Sequence, residues 1–111
     1  MHITPEIVEA VYELLRLTPP FKRWKLPHVD EIKIVLTHKD DHFAEFADSF
    51  VLYVSLPNNR DLATLISSVA HEMTHLQDYR HGPTPQLRHG KDFKRLAAQV
   101  CRAHGFDPAA F

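Results

Sequence analysis

The longest helical pattern in this chain lies between Asp61 and Gly82, and no fold without a long helix can accommodate it. Leu62, Leu65, Ile66, Val69, Met73 and Leu76 recur at i, i+3 and i+4 spacing, which predicts an amphipathic helix over 62–80. Asp61 is a good cap for its start, and Gly82-Pro83 ends it. An N-terminal helix opens at Thr4-Pro5, carries Ile7, Val8, Val11, Leu14 and Leu15 on one face, and stops before Pro19-Pro20. A C-terminal helix follows Gly90, with Phe93, Leu96, Ala97, Val100 and Cys101 at core spacing, and ends at Gly105. Phe21 to His28 reads as a connection that carries Trp24 as a core anchor. Between the first two helices, Ile32–Leu36, Phe43–Ala47 and Phe50–Leu56 read as short strands. The last of these is apolar on both faces except at Ser55, so it is expected to be covered on both sides. The expectation is one α+β domain over 1–111, with about three antiparallel strands between helices.

Composition narrows the class. With 111 residues, 44% hydrophobic and 24% charged, the chain is neither disordered nor a coiled coil nor collagen-like. The single cysteine, Cys101, excludes an internal disulfide framework and a cysteine zinc ribbon; on its helical core face it behaves as a small apolar residue. No run approaches the ~18–20 apolar residues that span a bilayer, and Met1 to Glu6 lacks the basic start and apolar run of a signal peptide. A cytoplasmic protein with no membrane partner is expected. Charge is near balance at −1 but unevenly placed. From Arg80 to His104 there are six Lys and Arg against Asp92, and from Asp30 to Glu72 eight acids against three bases. The basic third reads as the solvated face of a helix and its preceding loop; the alternative is a surface for weak contact with an anionic partner such as DNA.

Four of the nine histidines lie between His71 and His89. His71-Glu72-Met73-Thr74-His75 is an H-E-x-x-H sequence on the long helix. Residues i and i+4 sit one above the other, so both imidazoles can address one metal ion. Glu72 lies about 100° around the helix, near enough to reach a metal-bound water without ligating the metal. The two histidines fall off the apolar stripe, on a face with Thr64, Ser68 and Asp78 that resembles a cleft wall. A catalytic zinc takes three protein ligands and leaves a fourth position for water. Two downstream histidines compete for the third place. His81 has the spacing used by metzincins, but Asp78 stands where those enzymes place glycine, and no methionine follows Met73. His89 precedes Gly90 and Phe93 at the start of the last helix.

His71, Glu72 and His75, then a loop, then His89, Gly90 and Phe93 resemble the signature of the SprT-like (Spartan-like) zincin family: H-E-x-x-H followed by H-G-x-x-[F/W] opening a helix. The order of helix, short strands and motif helix is similar too. The resemblance implies a minimal zincin-like domain with one Zn2+ per chain, held by His71, His75 and His89, with Glu72 catalytic. It implies a peptidase acting on protein or peptide substrates, DNA-attached proteins among them. The chain departs from the family in lacking the cysteine ribbon of bacterial members and the long tails of Spartan-type proteins.

In such an enzyme the metal lowers the pKa of bound water and polarises the scissile carbonyl, and Glu72 moves the proton to the leaving amine. Tyr79, Arg80 and Arg88 are the candidates for the oxyanion donor. Asp78 and Asp92 are candidates to accept the second ring N–H of a ligating histidine. The edge for a substrate strand would be Ala44–Asp48 or Phe50–Leu56. His2, His28, His38 and His42 read as surface or turn residues, and His104 as a histidine at the core edge. Two other readings stand beside the peptidase. One is a non-catalytic zincin-fold binding module with a structural or vestigial zinc site. The other is a nucleic-acid-binding protein using Lys22, Arg23, Lys25 and the C-terminal basic residues, against which a pI of about 6.7 weighs.

Overall fold

In the computed structural model the described residues are 2–38, 44–46, 51–81 and 90–111, with 44–46 and 79–81 described in backbone only. The elements run α1 (Pro5–Arg16), α2 (Phe21–Trp24), a 3-10 turn (Val29–Glu31), β1 (Lys33–Thr37), β2 (Ala44–Phe46), β3 (Val51–Ser55), α3 (Leu62–His81) and α4 (Lys91–His104). This is the expected α+β order. The connection carrying Trp24 contains a helical turn, and Trp24 is buried as an anchor edge-on to Phe21. His2 and His38 are exposed, as a surface reading requires, and exposed His28 caps the 3-10 turn through Nδ1. His42 lies outside the described residues.

Local chemistry sets the helix ends. Thr4 accepts from the Ile7 N–H ahead of Pro5. Asp61 accepts from the Thr64 N–H at 2.8 Å and from its hydroxyl at 3.0 Å. Gly105 closes α4 with φ of 77°, a left-handed conformation in which a side chain would be strained. Val8, Val11, Tyr12 and Leu15 form the buried stripe of α1; Phe93, Leu96, Val100 and Cys101 form that of α4.

The sheet is mixed, not the antiparallel sheet expected from sequence. Its order is β1-β3-β2, with β1 parallel to β3 and β2 antiparallel to it. Three short runs read in sequence look like a meander. Instead β3, the most apolar strand, takes the centre, where both of its backbone edges are paired. That removes Phe50–Leu56 as a substrate edge and leaves β1 and β2 at the edges. Leu52 and Val54 are fully buried on one face of β3; on the other, Ser55 is fully buried and Val51 and Tyr53 are half-buried. Helices α1 and α3 contact β1 and β2 respectively, and α4 packs on α3. The long helix therefore runs through the middle of the domain.

Candidate metal centre

Central placement decides the character of α3. Leu65, Val69 and Met73 are fully buried on its expected apolar stripe. Ala70 and Thr74 are fully buried beside them, and the Thr74 hydroxyl donates to the Ala70 carbonyl at 2.8 Å. The polar face is buried too. Ser68, Glu72 and His75 each retain 8% of their surface. On the face read as a cleft wall, Ser68 and His75 are thus buried and Thr64, His71 and Asp78 are half-buried, with Phe93 of α4 against both histidines.

His71 and His75 converge as the i, i+4 spacing predicts. Their Nε2 atoms lie 3.1 Å apart, and the rings meet edge-to-face with centroids 4.8 Å apart. Two imidazole lone pairs cannot face each other at that separation without a proton or a cation between them. Two imidazole nitrogens beside a carboxylate are a donor set that divalent metal ions accept. Glu72 Oε2 lies 3.9 Å from His71 Nε2, and the three donor atoms fall within 4.8 Å of one another. His71-Glu72-His75 is therefore a group that can hold a metal ion, in an environment where ionised or polar side chains need a partner.

The pair is enclosed by aromatic rings. Phe93, in the first turn of α4, stacks on His75 with centroids 4.2 Å apart and planes 21° apart, and meets His71 at 5.2 Å. Phe111 meets His71 from another side at 5.2 Å. It is carried there by a turn in which Asp107 accepts from the backbone of Ala109, Ala110 and Phe111. Phe106 stacks on Phe111, and His104 on Phe106. His104 also reaches the Thr18 hydroxyl at 3.2 Å, as expected of a histidine at the core edge. Phe111 was not anticipated, although Asp107-Pro108 is a turn signal that folds the segment back.

Asp78 continues the face of His71 and His75 toward α4. Burial pushes its carboxyl above the ordinary range, the negative charge of Asp92 adds to the effect, and Arg95 opposes it. Burial also pushes the Cys101 thiol up, assisted by Asp107, so this buried cysteine is a neutral apolar filler. Of the remaining sequence candidates, His89 and Arg88 lie outside the described residues. His81 closes α3; for it, Tyr79 and Arg80 only the backbone is described. Among the described residues no helix is long and apolar enough to cross a membrane. Comparison with protein-family models, curated proteins and solved structures finds no match to this chain.

Proposed function

We propose that the chain is a zinc-dependent metallopeptidase of SprT-like type. The observation that carries this reading is the 3.1 Å separation of two histidine nitrogens beside a buried glutamate. His71 and His75 would hold the ion, and His89 is the proposed third ligand. Support for His89 is its position one residue before Gly90, the cap of α4, whose first turn places Phe93 against both histidines. When bound, zinc supplies Lewis acidity and a water of lowered pKa. Glu72 would act as the base, taking a proton from the attacking water and passing it to the departing amine. Phe93 and Phe111 cover part of the two histidine rings. Proteins associated with DNA are proposed substrates, since Lys91, Lys94, Arg95 and Arg102 are exposed along α4.

The test is metal content beside proteolysis. Wild type should carry one zinc per chain and cleave an unfolded protein, and Glu72→Gln should keep the zinc while losing cleavage. Undiminished cleavage by that variant removes Glu72 as the base. One observation favours a second reading, a non-catalytic module with structural zinc: His75 is buried beneath the Phe93 ring. That reading expects stoichiometric zinc with no cleavage of any peptide.

A further inference from the structure

The segment after Gly105 is fastened to the domain by its two rings. Its own hydrogen bonds close within it. The Asp107 carboxylate accepts from the Ala109 N–H, and the Asp107 carbonyl accepts from the Ala110 and Phe111 N–H groups, each at 3.0 Å. Among the described residues no hydrogen bond joins 106–111 to the rest of the chain, and Asp107 to Ala110 are exposed. Phe106 stacks on His104 with centroids 5.6 Å apart, Phe111 lies on His71 at 5.2 Å, and the two phenylalanines stack on each other at 5.5 Å. Between the segment and α4 a cavity of about 330 Å3, with Ala97, Cys101, Pro108 and Phe111 in its lining, keeps the two from packing closely. Gly105 stands at the base with φ of 77°, and glycine has the widest choice of backbone angles. A turn that is closed on itself, with a glycine at one end and rings as its hold, can lift as a unit. Its outermost ring lies on the more exposed histidine of the candidate metal centre: His75 is buried, and His71 is half-buried. Two rings meet His71. Phe93 is 4% exposed inside α4 and moves only with that helix, whereas Phe111 can leave with no helix disturbed.

We propose that 106–111 is a strap over the candidate metal centre: in its closed position it screens His71, and it lifts about Gly105 before any molecule larger than water reaches that histidine. The test has one arm without metal and one with it. In the zinc-free full chain, diethyl pyrocarbonate modifies accessible imidazoles, and tandem mass spectrometry reads the rate at each histidine. Phe111→Ala should raise the rate at His71 by about two- to twelvefold, the factor that one aromatic contact corresponds to, and leave exposed His2 and His28 unchanged. Asp107→Ala frees the Ala109 N–H and loosens the turn with both rings in place, so it should move His71 the same way by a smaller factor. Asp61→Ala weakens the start of α3, about 15 Å along the helix from His71, and is the control that should keep the wild-type rate. In the zinc-loaded chain, release of zinc to excess chelator should quicken in Phe111→Ala and Asp107→Ala and not in Asp61→Ala; this arm alone rests on the metal reading. Wild-type rates at His71 in both strap variants overturn the strap. An equal rise in Asp61→Ala overturns it too, because His71 is then reached by unfolding of the domain. A chain that takes up no zinc and still shows the rise at His71 removes the metal reading and keeps the strap. Zinc uptake with unchanged rates at His71 removes the strap and keeps the metal.

Discussion

Zinc binding at His71 and His75 should be visible as folding stability. An ion that binds only the folded chain stabilises it by RT ln(1 + [Zn]/Kd), about 4 kcal/mol when free zinc exceeds Kd by ~1,000-fold. Unfolding entropy near ~2.1 cal/mol/K per residue gives a chain of 111 residues roughly 0.23 kcal/mol/K. The expected shift between zinc-loaded and chelator-treated protein is therefore about 18 °C in Tm. Circular dichroism melts with buffered zinc and with chelator measure it. His75→Gln should abolish most of the shift while retaining the fold. The shift should shrink as pH falls, because imidazoles bind metal only when deprotonated. Equal melts with zinc and chelator, or a zinc shift in His75→Gln as large as in wild type, would refute the assignment of these two ligands.

Three further outcomes are expected. His89→Ala should strip zinc while His81→Ala keeps it, read by metal analysis of the purified variants; the opposite result favours the metzincin-like spacing. Asp61→Ala removes the acceptor for the Thr64 N–H and hydroxyl and should lower Tm with zinc content unchanged. Asp78→Asn should raise stability at neutral pH. The folded chain holds the Asp78 proton more tightly than the unfolded chain does, so stability falls as pH rises from the ordinary aspartate range through the raised value. The variant removes that loss, and its urea-unfolding advantage should vanish in acid below about pH 3.9, where both states are protonated.

The middle of α3 buries polar side chains as well as apolar ones. Nine of the twelve residues from Leu65 to Leu76 are buried, among them Ser68, Glu72, Thr74 and His75. Thr74 is satisfied within the helix. In the His71-Glu72-His75 group the two ring nitrogens meet each other at 3.1 Å, with Glu72 Oε2 3.9 Å from His71 Nε2. Phe93 serves two purposes there. Its ring is buried on the core-facing side of α4 and stacks on the His75 ring.

What sequence alone determined about this protein is whatever depends on neighbours a few residues away. The caps at Thr4 and Asp61, the stop at Gly105, the three long helices and the convergence of His71 with His75 follow from helical geometry and side-chain chemistry within one turn. Tertiary structure alone decided what depends on distant packing. Pairing β3 with both other strands made the sheet mixed and put α3 at the centre, since pairing order is set by burial and not by sequence order. Packing of α4 on α3 buried Ser68 and His75 and left Thr64, His71 and Asp78 half-buried on the face read as a cleft wall. It also brought Phe111, forty residues after His71, onto the histidine pair. No local pattern encodes that contact, because a ring's partner is chosen by the shape of the packed core.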